Sequence, residues 1–521
     1  MESAARFGPY PALVVDGDKL SYRELSDQAR AIATAILNFE QDRFPLTALL
    51  AHRSVTAYAG VLGILASGRG YVPLNPKFPL ERTRSMLHLA GCTTLVVGRE
   101  SVSQLPKLLG GLERPLTVIL PDVSSQVDLS AGRSDHRLIF RNQIPAGCGF
   151  PFPTELEADA IAYLLFTSGS TGVPKGVPIY HRNVRSYIEY VCDRYEVTEL
   201  DRFSQEFDLT FDLSVHDMFV CWERGACLYC VPEKSVMAPA KFIRENELTM
   251  WFSVPSVIGL LSRMRLLPTN CFPKLRCSLF CGEPLTAMYA DLWMRATPNS
   301  VLENLYGPTE TTIAISSYRW DAARSPKECI NGIVPIGWPF TGQTARLIGD
   351  DHQTMPPGET GELCLSGSQV TTGYWNNPEK TREQFIQLAE TGKTLWYRTG
   401  DLVRRDERSC LYYLGRMDQQ IKIRGYRVEL QEIEAILRKV CNTDQVVCVP
   451  WPVHNGTVDG VVAIISGEKF LDPDGVLNRC SELLPPYMVP SRIYSVEHLP
   501  LNANGKIDRS KLADLIEGMQ A

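Results

Sequence analysis

The clearest amphipathic signal lies near the start of the chain, where Leu25, Ala29, Ile32, Ala33 and Ile36 recur at helical spacing behind Ser21-Tyr22-Arg23-Glu24. A Ser followed three residues later by Glu is a capping box, so the pattern predicts a helix that begins there. The apolar stretch Val61 to Ala66 comes next; Tyr71 to Leu74 follows, then a predicted helix from about Pro79 to Ala90 and a predicted strand at Thr94 to Val97. Helices alternating with short apolar strands predict an α/β protein whose sheets are covered on both faces. From Leu112 to Phe152 the chain is polar and carries Pro and Gly, which predicts a surface excursion. A second alternating block runs from about Ile179 to Ser300. After Ile333 the texture changes to short β-type runs with Gly-rich turns, such as Gly361 to Gly367, which predicts a β-rich subdomain. Beyond Asp418, strand-like Ile421 to Ile423, Val446 to Pro450 and Val461 to Ile465 alternate with helical patterns at Glu429 to Val440 and Asp474 to Leu484. The expected organisation is therefore a large region, 1–417, followed by a small α+β domain, 418–521.

Bulk properties narrow the picture further. At 521 residues the chain exceeds the usual size of one core. With 44% apolar and 21% charged residues, general disorder is excluded. A net charge of −6 argues against nucleic acid as the main partner, since phosphate backbones select basic faces. The first six residues lead into no signal-peptide core and no run approaches a membrane span, so a cytoplasmic protein without a membrane partner is expected. Fifteen scattered cysteines suit reduced, buried thiols. Cys227 and Cys230 have metal-ligand spacing, but no second pair follows them, and they read as core residues of a strand.

Candidate chemistry starts at the strand-like run Ile161 to Thr167, which leads into Ser168-Gly169-Ser170-Thr171-Gly172-Val173-Pro174-Lys175. A strand ending in a Gly/Ser/Thr loop offers backbone N–H groups and hydroxyls to an anion, with no Cβ in the way at the glycines. The spacing is not that of a Walker loop. Alone, such a turn reads as an ordinary solvated loop. Its company changes that: Asn304-Leu305-Tyr306-Gly307-Pro308-Thr309-Glu310, Tyr397-Arg398-Thr399-Gly400-Asp401, Gly415-Arg416-Met417-Asp418, Lys422-Ile423-Arg424-Gly425-Tyr426-Arg427 and Asn504-Gly505-Lys506-Ile507-Asp508-Arg509 follow in order.

This ordered set resembles the adenylate-forming superfamily of acyl-CoA synthetases, peptide-synthetase adenylation domains and luciferases, over essentially the whole chain. The resemblance implies attack of a substrate carboxylate on the α-phosphorus of ATP, giving an acyl-adenylate and pyrophosphate. Two anions must meet, so positive charge and N–H donors have to offset their repulsion. By resemblance, Thr167, Ser168, Gly169, Ser170, Thr171, Gly172 and Lys175 hold the leaving phosphates, and Glu310 holds Mg²⁺ against them. Tyr306 packs on adenine, Asp401 accepts from the ribose hydroxyls, and Arg416 donates nearby. Gly282, Glu283, Pro284, Asn304, Gly307 and Thr309 complete the nucleotide side. Lys506 bridges the carboxylate and the α-phosphate, and Asp418 is the hinge about which the small domain alternates between two working positions. One position delivers Lys506; the other presents the Gly425 loop to guide a thiol.

The segment Phe207 to Phe219 points to the acid that is activated. In the amino-acid-activating branch, the residue at the place of Asp212 pairs with the substrate ammonium, and a plain carboxylic acid would leave that carboxylate buried and unpaired. The Phe-Asp-x-Ser frame selects Asp212 over Asp208. Alignment with a phenylalanine-activating domain implies a pocket of Asp212, Leu213, His216, Phe252, Leu279, Cys281, Leu305, Ile313 and Ala314. This pocket suits a compact, uncharged side chain. Its pattern resembles both D-alanine–carrier protein ligases and proline-activating stand-alone ligases, and proline is favoured over alanine, serine or cysteine. His216 fits neither parentage and reads as a neutral wall. Leu109-Gly110-Gly111-Leu112-Glu113 has Glu113 where a carrier site needs serine, and no condensation motif occurs. A free-standing ligase acting on a separate carrier protein with a phosphopantetheine arm is expected. An acyl- or aryl-CoA ligase and a catalytically silent scaffold are the alternatives.

Overall fold

The computed structural model describes residues 2–39, 44–124, 127, 135–145, 157–169, 173–418, 420–454, 457–466, 472–500 and 510–520. The helix at the first amphipathic segment spans Tyr22–Phe39, and its capping box is closed. Ser21 donates its N–H to Glu24 Oε2 at 2.8 Å, and Glu24 returns its own N–H to Ser21 Oγ at 3.3 Å. The predicted apolar face, Leu25, Ala29, Ile32, Ala33 and Ile36, is buried.

Two compact units emerge. The first comprises 1–76, 84–166 and 176–417. It is built around two large sheets. One has nine strands, and its parallel centre runs Val301–Tyr306, Cys277–Phe280, Met250–Ser253, Arg202–Gln205, Cys227–Cys230, Pro11–Val15. The other has seven, in the order Arg137–Phe140, Thr117–Leu120, Thr94–Val97, Leu46–Leu50, Gly70–Leu74, Ile161–Thr167, Lys175–Tyr180. Strands such as Pro11–Val15, Leu46–Leu50 and Thr94–Val97 are largely apolar and buried, as strands covered on both faces tend to be. The β-rich subdomain is a five-stranded antiparallel sheet built around Thr360–Gly367 and Leu395–Arg405.

One expectation needs correction. The stretch 112–152 is not only a surface excursion, because Thr117–Leu120 and Arg137–Phe140 pair in parallel and form the edge of the seven-stranded sheet. Their four-residue apolar cores are too short to stand out against the polar sequence around them. Cys227 and Cys230 are buried in their strand. Among the described residues, no three His, Cys, Asp or Glu groups gather to hold a metal, and no helix is long and apolar enough to cross a membrane.

The second unit comprises 77–83, 167–175 and 418–521. The hairpin Gln420–Ile423 and Tyr426–Glu429 leads into the helix Leu430–Cys441. A three-stranded sheet of Val446–Pro450, Val461–Ser466 and Arg492–Val496 packs with that helix around Ile433, Leu437, Val446, Cys448 and Val461. At the hairpin tip, Arg424 and Gly425 both have positive φ, 49° and 82°. Asp418 opens the unit, and its Oδ1 accepts the N–H of Gln420 at 3.0 Å.

Candidate active site

In the first unit, Asp212 occupies the N-cap position of the helix Leu213–Glu223 without capping it, and its side chain is buried with the residue only 4% exposed. The other predicted pocket residues, Leu213, His216, Phe252, Leu279, Cys281, Leu305, Ile313 and Ala314, are buried as well. Strand register explains part of the grouping. Phe252 pairs with Leu279, and Leu279 with Glu303, two residues before Leu305, so all lie on one sheet face. His216 sits edge-on to Phe252, with ring centroids 4.6 Å apart, and Phe252 meets Phe207 at 5.4 Å.

His216 is neutral. Burial pulls its imidazole down to about 3 from 6.5. Its Nδ1 lies 2.8 Å from the Tyr187 hydroxyl. That phenol is fully buried and has no other partner among the described residues, so its proton goes to Nδ1 and the ring proton rests on Nε2. Tyr71, Tyr163 and Tyr187 surround the same region. Burial first, and the Asp212 charge as a further cause, hold all three phenols well above their usual range. None of the three carries a sequence signature, since a buried Tyr in an apolar run reads as core. Asp208, the competing carboxylate, is committed elsewhere. Its Oδ2 accepts from Asn75 at 2.8 Å and lies 3.1 Å from His52 Nδ1, while Oδ1 accepts the N–H and hydroxyl of Thr210.

Ile313 and Ala314 sit on an unusual turn. Thr312 and Ile313 have φ of 60° and 71°, a region that β-branched residues avoid. Gln369 holds the turn: its amide donates to the Ala314 carbonyl at 2.7 Å and to those of Thr311 and Thr312 at 3.3 and 3.4 Å, and Thr312 Oγ1 donates to the Gln369 carbonyl at 2.6 Å. Gly307 packs against it so closely that a Cβ would fall 2.5 Å from Ala314 Cα. Sequence reasoning missed Gln369, because nothing in its local pattern marks a residue that acts on a turn more than fifty positions away.

On the predicted nucleotide side, Asp401, Tyr306 and Arg416 are brought together. The Tyr306 hydroxyl donates to Asp401 Oδ2, and Arg416 donates to Asp401 Oδ1 at 2.8 Å and to the Thr399 carbonyl at 2.9 Å. Glu310 is fully buried in the turn Thr309–Thr311 and accepts from Tyr374 at 2.8 Å. The Asn304 amide is spent on the carbonyls of Val334 and Pro335, at 3.3 and 2.9 Å. Gly282 has φ of 88°, which lets Glu283 turn back and accept the Ser256 N–H at 2.9 Å, capping the helix Ser256–Arg263; Pro284 follows, half-buried.

In the second unit, Thr167, Ser168 and Gly169 begin the predicted phosphate loop, and Lys175 ends it, half-buried at the head of the strand Lys175–Tyr180. The buried Thr167 hydroxyl has no hydrogen-bond partner among the described residues. A Cβ at position 169 would fall 2.1 Å from the Val173 carbonyl oxygen, so only glycine allows this fold-back. Ser170, Thr171, Gly172 and Lys506 lie outside the described residues.

The AMP-binding enzyme family matches residues 1–375, and the chain belongs to it. It is 33% identical over 515 residues to tyrocidine synthase 3 of Brevibacillus parabrevis, covering 98% of this chain and 7% of that protein. It is 32% identical over 523 residues to an L-proline–[L-prolyl-carrier protein] ligase of Pseudomonas fluorescens, covering 99% of this chain and 98% of that one. The crystal structure of the Vibrio cholerae adenylation domain AlmE with glycyl-adenosine-5'-phosphate superposes with a TM-score of 0.89 at 34% identity, covering 99% of this chain and 96% of that chain.

Proposed function

We propose that the chain activates a small, neutral amino acid with ATP, giving aminoacyl-AMP and pyrophosphate. It then transfers the aminoacyl group to the pantetheine thiol of a carrier protein, with release of AMP. The observation that carries this reading is a buried carboxylate, Asp212, grouped with predicted pocket residues of which none is charged once His216 is neutral. A buried carboxylate is well matched to an ammonium and poorly matched to a plain acid. Proline is the favoured substrate, supported by the pocket pattern and by the Pseudomonas relative. Glycine is a second reading, supported by AlmE; bulky, buried walls at His216, Phe252, Leu279 and Ile313 accord with either.

Each residue has a chemical task in this scheme. Asp212 anchors the amine and so aims the carboxylate. The loop Thr167 to Lys175 takes the leaving phosphates, and the Thr167 hydroxyl, without a partner among the described residues, fits an anion there. Glu310 would hold Mg²⁺: a carboxylate is a hard oxygen donor, oriented here by the Tyr374 hydroxyl, and such an ion draws its remaining ligands from phosphates and water. When bound, the ion would offset charge on the departing pyrophosphate. Asp401, oriented by Arg416 and Tyr306, presents acceptors to the ribose. Lys506 supplies the mobile positive charge at the α-phosphate, and Asp418 the hinge that withdraws it. His216, held neutral, is a wall and not a base.

The test is ATP–pyrophosphate exchange across the twenty amino acids and a set of simple carboxylic acids, followed by loading of a phosphopantetheinylated carrier protein. Exchange with proline or glycine supports the reading. Exchange only with simple acids makes it a CoA-type ligase, and no exchange makes it a scaffold.

A further inference from the structure

Within the second unit, the start of the phosphate loop already holds an anion of the protein's own. The Gly169 N–H donates to Glu432 Oε2 at 3.3 Å, while Glu432 Oε1 pairs with Arg82 at 2.6 Å. The Ser168 hydroxyl donates to the Arg427 carbonyl at 2.8 Å. The Glu432 side chain is only 2% exposed and that of Arg82 8%, so this is a desolvated arrangement and not a surface encounter. Glu432 stands in the first turn of the helix Leu430–Cys441, just after the Tyr426–Glu429 strand that supplies the Arg427 carbonyl. Neighbouring rings brace it: Tyr426 stacks on Tyr487 with centroids 3.9 Å apart, and Phe78 meets Tyr487 edge-on at 6.4 Å. A Cβ at position 169 would fall 2.1 Å from the Val173 carbonyl oxygen, so the backbone that presents this N–H is one that glycine allows.

We infer that Glu432 is a competing ligand of the phosphate loop, occupying the amide that a nucleotide phosphate would otherwise take. A carboxylate and a phosphate oxygen are both acceptors, and one N–H pointing one way serves one of them well. Two anions at that spot in low dielectric also repel strongly. Nucleotide on the Gly169 amide and this arrangement of Arg82, Ser168, Gly169, Arg427 and Glu432 are therefore mutually exclusive. Binding of ATP must dislodge Glu432, and loss of pyrophosphate lets it return. Once freed, Arg82 has no buried carboxylate to satisfy and is chemically suited to a phosphate. Glu432 thus positions the start of the loop rather than reacting, and it subtracts from ATP affinity. The inference rests on assigning 167–175 to phosphate binding, and is independent of which amino acid is activated.

The experiment is calorimetric titration of the full chain with MgATP, without amino acid, comparing wild type with Glu432→Gln. The variant keeps the shape and removes the charge, and should bind MgATP about tenfold more tightly, in line with the loss of one charge-assisted competitor. In pyrophosphate exchange, KM for ATP should fall with kcat unchanged. A purely structural Glu432 would instead leave the affinity unchanged or weaken it, and either result overturns the inference. If Glu432→Gln fails to fold, Glu432→Asp, one methylene short of the Gly169 amide, is read the same way. Wild type that binds MgATP but exchanges with no amino acid would refute the proposed function and leave this inference standing. Wild type that binds no MgATP would overturn the inference itself.

Discussion

Asp212→Asn removes one charge and almost no volume, so it isolates the electrostatic role assigned to this carboxylate. The residue is 4% exposed, and its surroundings are aromatic and aliphatic, with the phenols of Tyr71, Tyr163 and Tyr187 in its field. An ammonium brought there loses its water and depends on Asp212 for compensation. Taking one partner from a buried ion pair costs about 3–5 kcal/mol. At about 1.4 kcal/mol per tenfold, that is a fall of roughly two to three and a half decades in kcat/KM for the amino acid. The assay is pyrophosphate exchange with proline beside cyclopentanecarboxylate, which matches proline in shape but lacks the nitrogen. Wild type should strongly prefer proline. In the variant, the proline rate should collapse while the cyclopentanecarboxylate rate stays level or rises, closing the gap. A loss below about tenfold, or an equal loss for both acids, would refute the pairing of Asp212 with the amine.

Further expectations follow from other residues. Lys506→Ala should cripple adenylate formation yet spare thioester formation from supplied aminoacyl-adenylate; equal loss in both half-reactions would contradict an alternating lid. Gln369→Ala strips partners from the turn at Thr311 to Ala314 and should destabilise the fold by about 2–4 kcal/mol by chemical denaturation, raising KM for the amino acid more than KM for ATP. Burial pushes Glu206 up to about 8 from 4.5, against the pull of Arg53, so the folded state keeps a proton that the unfolded chain releases. Stability should therefore fall as pH rises from 4.5 to 8, by about 3 kcal/mol at pH 7 on this group alone. Glu206→Gln should flatten that slope in thermal melts between pH 5 and 8, and an unchanged slope would count against the buried neutral acid.

Much of this architecture could be read from periodicity, and the reasons are local. Capping boxes, apolar strands and the α+β texture beyond Asp418 are written in adjacent residues. The edge strands Thr117–Leu120 and Arg137–Phe140 escaped because their burial comes from a neighbouring strand and not from a long apolar run of their own. The site divides in the same way. Asp212, Glu310, Asp401 and Arg416 stand out as candidates in the sequence because their motifs are contiguous. Tyr187, Tyr374, Gln369 and Glu432 do not, since each acts on a partner far away in sequence, at His216, Glu310, the Thr312 turn and Gly169. Asn304 and Glu283, placed on the nucleotide side by resemblance, spend their side chains on backbone groups and help to shape that side.

The Gln369 clamp bears on how such a pocket could be redirected toward another guest. Ile313 and Ala314 are held by a side chain that belongs to a different part of the chain, and the backbone of Ile313, like that of Thr312, sits where few residues are content. Exchanges there disturb a sprung loop as well as a surface, so they carry a hidden penalty unrelated to fit. Leu213, Leu279 and Leu305 ride on an ordinary helix and ordinary strands. On the proposed pocket, a new amino acid preference is best sought at those three positions, with the turn and its clamp left alone.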